Sequence, residues 1–310
     1  MNTPRINSEQ SAPLSSPQAL FHLKPLEQLL PASAPTSVVN APKDHSDTQA
    51  LPKGSSAQTL SLMHPPSGQQ IAPGVWYDTS RKTPEGGKVR LLTLDPAQAE
   101  LVPIVKSKPG PINASSLAQD KKLIAAINAS FFGTMLIGDL QSGSQIVTDD
   151  TNSALDKITD QRYFIAVGPD GKIHTGKGGL KEQTQAFKHF IGGFPALYTR
   201  EQFKHLDQDI QNGNFDKRAS YGGDVKKDSI SRSFMGITAD GKVILVAAGI
   251  GNQRALGVTM AQGARLMREL GAVEAYILDG GGSSTVYVKD KEHARTDGRQ
   301  VWSYLGIKSP

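Results

Sequence analysis

The stretch Tyr276-Ile-Leu-Asp-Gly-Gly-Gly-Ser-Ser-Thr285 decides how the rest of this chain can fold. An apolar run ends at Leu278 and is followed at once by the acid Asp279, three glycines and three hydroxyl residues. Short apolar runs of this kind fill buried strands. Consecutive glycines lose much backbone entropy on folding, and a fold tolerates them where the chain turns sharply or a ligand approaches the backbone. The stretch predicts either a glycine-rich hairpin turn or an acid beside an anion-binding loop.

A capped helix is predicted directly before this stretch. Thr259-Met-Ala-Gln262 is a capping box, and Gly271 is the residue type that ends a helix. The apolar residues between them recur at helical spacing on one face, at Met260, Ala264, Met267 and Leu270. Such a stripe predicts a helix that packs against the core.

The same order, a capped helix and then an apolar strand, occurs earlier in the chain. Ser116-Leu-Ala-Gln119 predicts the helix cap, and Leu123-Ile-Ala-Ala-Ile127 predicts the strand, which ends at Asn128. We expect Asn128 and Asp279 to converge on one edge of a mixed sheet.

Two hairpin turns support a β-rich fold. Asp170-Gly171 and Asp240-Gly241 each separate two apolar runs, which is typical of a hairpin. Strand patterns begin near Ile71. The sequence therefore predicts an α+β protein, with a single domain over residues 71–310 that has a mixed, mostly antiparallel β-sheet and a few flanking helices.

Residues 1–70 differ in composition from the rest of the chain. Ten of the 19 prolines precede Ser67, among many serines and glutamines. Such a segment buries too little apolar surface to fold by itself, so we expect a disordered leader or linker. Its composition resembles that of bacterial effectors that are injected into host cells.

The composition excludes several classes of protein. The chain has no cysteine, which excludes disulfides, thiolate nucleophiles and cysteine-ligated zinc. Its 34 basic and 29 acidic residues form no basic cluster, so we expect no nucleic-acid partner. Neither a Sec signal nor an apolar run of membrane-spanning length is present, so we expect no membrane partner. The predicted location is the cytoplasm, or outside the cell after export by another route.

Common nucleotide and hydrolase motifs are incomplete in this sequence. Gly249-Ile-Gly251 begins like a dinucleotide-binding loop, but Arg254 stands where the third glycine belongs. The glycines after Asp279 do not match the Gly-x-Ser-x-Gly pattern of nucleophile-elbow hydrolases. No pair among the seven histidines has metal-ligand spacing.

A series of motifs, in its order along the chain, resembles the phosphodiester glycosidase family. The motifs are Asn128–Phe132, Gly192–Leu197, Arg232–Ile237, Asp240–Lys242, Leu278–Ser284 and Arg299–Val301. The likeness covers roughly residues 85–308, and the Asp-Gly-Gly-Gly-Ser-Ser motif is its most specific part. Two positions depart from the family pattern, since Ala129-Ser130 replaces a glycine pair and Gln300 replaces a proline.

The resemblance implies hydrolysis of the glycosidic bond of a sugar 1-phosphodiester. Asp279 is then the candidate general base, nucleophile or ligand of a divalent cation such as calcium. Arg232 would contact the phosphate charge, and Asn128 a sugar hydroxyl or a phosphate oxygen. The remaining candidate substrate contacts are Gly280, Gly281, Gly282, Ser283, Ser284, Gly193 and Arg299.

The number of acids leaves an alternative open. Glycosidases commonly use two carboxylates, and only Asp279 stands out as an acid in these motifs. A phosphate leaving group lowers the need for a second acid. In the alternative, the same loop binds a sugar phosphate or a nucleotide without hydrolysing it. The expected partner of the glycosidase is a glycosyl phosphate, either a small molecule or a glycoconjugate.

Overall fold

The computed structural model describes residues 66–106, 111–112, 114–133, 136–148, 162–215, 229–251 and 256–310. The predicted leader, residues 1–70, lies outside these ranges except for its last five residues. Of those five, Gln69 and Gln70 already belong to the first strand.

The described residues are mostly β-strand. The strands are β1 (Gln69–Ala72), β2 (Val75–Asp78), β3 (Lys88–Leu94), β4 (Glu100–Val105), β5 (Leu123–Asn128), β6 (Leu140–Ser142), β7 (Gln145–Thr148), β8 (Tyr163–Val167), β9 (Ile173–Lys177), β10 (His189–Phe194), β11 (Ala196–Tyr198), β12 (Arg232–Thr238), β13 (Val243–Ile250), β14 (Ala272–Ile277), β15 (Thr285–Val288), β16 (Glu292–Arg295) and β17 (Ser303–Lys308). The helices are α1 (Ala114–Leu117), α2 (Arg200–Phe203), α3 (Leu206–Gln211) and α4 (Met260–Glu269), with 3₁₀ turns at Leu180–Glu182 and Gly281–Ser283.

These strands form three sheets. The first has the order β1-β2-β3-β13-β12-β14-β11, the second β7-β6-β10-β8-β9 and the third β16-β15-β5-β17-β4. Each pairing between named strands in the described residues is antiparallel. The mostly antiparallel character and the few helices agree with the expectation. The prediction of a single mixed sheet was wrong.

The chain changes sheet between β10 and β11, within one apolar run. Gly193 has φ +88°, and a Cβ there would lie 2.6 Å from the carbonyl oxygen of Ile137, so a side chain would not fit. Two residues later the carbonyl of Pro195 accepts a hydrogen bond of 2.9 Å from the Ile277 amide, in the first sheet. The apolar run that the sequence predicts as one strand thus contributes two strands, β10 and β11, to two different sheets.

The first sheet is covered on both faces. Every residue of β13 is buried, which fits its continuous apolar sequence. One apolar cluster joins this sheet to the other two, and a second cluster lies under α4 with Phe234 and Met267. The Thr259 capping box and the helix end before Gly271 are confirmed. The earlier predicted cap is wrong, because Ser116 lies inside α1.

A partly buried ion pair also connects the first and third sheets. The guanidinium of Arg90 on β3 donates to both carboxylate oxygens of Glu292 on β16, at 2.7 Å each. The Tyr77 hydroxyl donates to the same carboxylate. Among the described helices, none combines the length and the apolar sequence needed to cross a membrane.

Candidate active site

The ends of β5 and β14 meet where the first and third sheets join. The Asp279 amide donates to the Ala129 carbonyl at 2.9 Å, and Asn128 Nδ2 donates to the Asp279 carbonyl at 2.5 Å. The two residues therefore converge as expected. They do so across a junction between two sheets and not along one edge, which corrects the prediction.

Asn128 is fully buried and uses its side-chain amide within the protein. Its Oδ1 accepts from the Ser233 hydroxyl at 2.8 Å and from the Thr285 amide at 3.1 Å. Together with the bond to Asp279, these contacts tie β5, β12, β15 and the end of β14 to one side chain. Asn128 thereby fixes the position of the backbone that carries Asp279.

The Asp279 carboxyl is the titratable group at this junction. It is partly buried, and its Oδ1 accepts from the Gly280 amide at 2.9 Å. Burial raises the pKa of Asp279 to about 6, against the lowering effects of the Ser283 hydroxyl, the Gly280 amide and the Arg299 charge. A carboxyl with a pKa in this range can accept and release a proton near neutral pH.

The glycine loop after Asp279 is held by its backbone and leaves two buried hydroxyls unsatisfied. The Gly281 amide donates to the Ser231 carbonyl at 2.7 Å, and Gly281–Ser283 forms a 3₁₀ turn. Within the described residues, the hydroxyls of Ser283 and Ser284 have no hydrogen-bond partner in good geometry, although the former is close enough to Asp279 to lower its pKa. An unsatisfied buried polar group costs about 1–3 kcal/mol, so a polar ligand that reached these hydroxyls would relieve this cost.

The two arginines named from the sequence have different surroundings. Bonds from Leu278 and Gly281 to β12 place Arg232 alongside Asp279. The side chain of Arg232 is nevertheless only 4% exposed, and its Nε donates to the Val258 carbonyl at 2.7 Å. The Arg299 side chain is 48% exposed, and its charge acts on the Asp279 carboxyl. Arg299 is therefore the more accessible cation beside Asp279.

Two further positions have packing roles. Gly193 is buried, and its carbonyl accepts from Arg162 Nη1 at 2.7 Å. Its contacts are those of a tight chain crossing between sheets, so we leave it out of the proposed site. Ala129 is fully buried in the apolar cluster that joins the sheets, so its methyl group lines no open surface.

Asp297 was missed by the sequence analysis. A Cβ on Gly282 would lie only 2.1 Å from Asp297 Oδ2, so this carboxylate lies directly against the glycine loop. The sequence around it, Thr-Asp-Gly, is typical of a surface turn and gave no sign of this contact. Its position two residues before Arg299 was the one available signal.

The described residues contain no group of three or more His, Cys, Asp or Glu side chains able to hold a metal ion. Calcium prefers six to eight oxygen ligands. The side-chain oxygens of the candidate site come from Asp279, Asp297, Ser283 and Ser284, and calcium stays a prediction. A surface pocket lies at the opposite end of the first sheet, lined in part by Thr238 and Lys242, and shares no residue with the candidate site.

Comparison with solved structures defines the class of fold. The catalytic domain of zebrafish N-acetylglucosamine-1-phosphodiester alpha-N-acetylglucosaminidase, auto-inhibited by pro-peptide, has a TM-score of 0.53 and 18% identity, over 79% of this chain and 85% of that chain. A hypothetical protein from Synechocystis has a TM-score of 0.52 and 16% identity, over 76% of this chain and 62% of that chain. At these identities the likeness is one of fold.

The sequence comparison then defines the family. A phosphodiester glycosidase profile matches residues 121–308, more than half of the 310-residue chain. The chain belongs to the phosphodiester glycosidase family. A comparison with curated proteins gave no match.

Proposed function

We propose that this protein hydrolyses the glycosidic bond of a sugar 1-phosphodiester. Membership of the family supports a hydrolase of this bond type. The observation that carries the proposal is the Asp279 carboxyl, with a pKa of about 6, beside a loop with buried and unsatisfied serine hydroxyls. Arg299 offers a positive charge to an anion, and the Asp279 carboxylate offers a base to water.

The proposed reaction is a displacement at the anomeric carbon. Asp279 takes a proton from water as the water oxygen bonds to C1 of the sugar. The bond from C1 to the phosphate oxygen breaks, and its electron pair stays on that oxygen. The products are a free sugar and a phosphomonoester. Arg299 and the hydroxyls of Ser283 and Ser284 would stabilise the phosphate charge, since the amides of Gly280, Gly281, Ser283 and Ser284 already donate within the protein.

Asn128 and Arg232 would act as positioning residues in this scheme. Asn128 holds the backbone of Asp279, and Arg232 holds the segment at Val258. Their burial supports a positioning role and not direct contact with phosphate. Calcium would add a positive charge beside Asp279, and assays with calcium and with a chelator test whether it is needed.

The test is a turnover assay on a panel of sugar 1-phosphodiesters that vary in sugar and in alcohol. We expect the wild-type protein to release both free sugar and phosphomonoester from at least one substrate, and the Asp279→Asn variant to serve as background. Calorimetric titration of the same panel runs in parallel. Binding without release of sugar would contradict hydrolysis and favour the non-catalytic binding module.

Export as an injected effector is a separate proposal, supported by the composition of residues 1–70. A reporter enzyme fused to residues 1–70 should leave bacterial cells that carry an injection apparatus. Retention of the reporter inside cells, with export of a known effector fusion as the control, would contradict it.

A further inference from the structure

A second carboxylate, that of Asp297, lies against the loop that the proposed function assigns to phosphate. Asp297 Oδ2 is so close to the Gly282 backbone that any side chain at that glycine would collide with it. An acid in this place is unexpected beside an anion-binding loop, because it repels the ligand.

The position of Asp297 is fixed by its neighbours. The amide and hydroxyl of Thr296 donate to the Ser284 carbonyl at 3.1 and 3.3 Å. Asp297 Oδ1 accepts from the Arg299 amide at 3.0 Å, and Arg299 Nη2 lies 3.7 Å from Asp297 Oδ2. The Asp297 side chain remains 32% exposed, so it can act on a molecule that arrives from solvent.

The arrangement places one accessible cation, Arg299, and one carboxylate, Asp297, beside the loop. A phosphodiester carries one negative charge, whereas a phosphomonoester carries nearly two at neutral pH, because its second pKa is about 6. Arg299 offsets the repulsion between Asp297 and the single charge of a phosphodiester. The second charge of a phosphomonoester is repelled by Asp297 without a further cation to offset it. Placing a like charge against the unwanted ligand is a general route to specificity.

We propose that Asp297 makes this site select phosphodiesters over phosphomonoesters. The substrate class in this inference rests on the proposed function. Asp297 acts here through its charge, and no proton transfer is assigned to it.

The test compares the binding of glucose 1-phosphate and of its methyl diester by calorimetry at about pH 7.5 and low salt. In Asp297→Asn, which keeps an oxygen to accept from the Arg299 amide, we expect the monoester to bind about tenfold more tightly and the diester to change by less than about twofold. Asp297→Glu retains the charge and should retain discrimination. Asp170→Asn, in an exposed turn, is the matched control for loss of one charge.

Equal changes for both ligands in Asp297→Asn would overturn the inference, and so would a loss of turnover with an unchanged ratio of the two affinities. Raising the salt concentration should reduce the wild-type preference for the diester, since screening weakens exposed charges. A wild-type protein that discriminates as expected but releases no sugar would refute the proposed hydrolysis and leave the selectivity standing. Failure of the wild type to bind either ligand would overturn the inference for glucosyl ligands, and the turnover panel would still decide the proposed hydrolysis.

Discussion

The two sides of the junction that carries Asp279 use their polar groups differently. On the β5 and β12 side, the side chains of Asn128, Ser231 and Ser233 make hydrogen bonds within the protein. On the loop side, the Ser284 hydroxyl is buried without a partner among the described residues, and the buried Ser283 hydroxyl lies close enough to Asp279 to lower its pKa. Groups that are satisfied internally hold the backbone in place, whereas buried unsatisfied groups suit a ligand. The first side is therefore a support, and the second is the side that we propose for binding.

The largest expected effect is on catalysis at the loop side. Asp279→Asn should lower turnover of a sugar 1-phosphodiester by at least about 100-fold, because the amide cannot accept a proton from water. The fold should be kept, since Asn can still accept from the Gly280 amide. Rates come from release of phosphomonoester, and circular dichroism checks the fold. Near-normal rates in the folded variant would remove Asp279 from the mechanism.

A substitution on the support side should lower the stability of the protein. Asn128→Ala removes the partner of the Ser233 hydroxyl, the Thr285 amide and the Asp279 carbonyl, so we expect a loss of about 2–4 kcal/mol in the free energy of unfolding. Denaturant unfolding measures it, and Asn212→Ala, at an exposed helix end, is the control. Unchanged stability with lost turnover would instead make Asn128 a direct substrate contact.

Protonation of Asp279 should change kcat/KM and stability in opposite directions. Its raised pKa means that kcat/KM should fall about tenfold per pH unit below about 6, as the base becomes protonated. Stability should change in the other direction, because the buried protonated form is favoured. The stabilising contribution of the proton is present below about pH 4 and is lost as the pH rises through about 6. Unfolding curves of wild type and Asp279→Asn should diverge across this window, and parallel curves would contradict the shifted pKa.

The smallest expected effect separates the two arginines. Arg299→Ala should raise KM for a phosphodiester about fivefold and leave KM for a neutral aryl glycoside nearly unchanged, since exposed charge contacts are worth about 1 kcal/mol. Arg232→Ala should lower stability and change both KM values alike, because Arg232 is buried against the Val258 carbonyl. If Arg232→Ala is the selective variant, then the roles of the two residues are exchanged.

Much of the local fold could be predicted because its signals are local. The Asp170-Gly171 and Asp240-Gly241 turns lie between paired strands, and the capped helix α4 precedes β14 as expected. The division into three sheets could not be predicted, since strand partners are set by distant residues. The apolar run that contains Gly193 has one pattern throughout, yet it crosses between two sheets.

The sequence predicted the backbone arrangement of the candidate site better than the surroundings of its charged residues. The convergence of Asn128 and Asp279 followed from two helix-strand units that each end in a polar residue. The burial of Arg232 and the approach of Asp297 to Gly282 depend on tertiary packing. Glycine requires no side-chain space, so the sequence alone does not say which group fills the space beside it.

The pairing of β3 with β13 and of β4 with β17 has a practical consequence for expression. Both β3 and β4 precede residue 121, where the family match begins. A polypeptide trimmed to residues 121–308 would expose two long strand edges and would leave Glu292 without Arg90. Unprotected edges of this kind promote aggregation. We expect soluble protein only when the boundary is placed before Gln69.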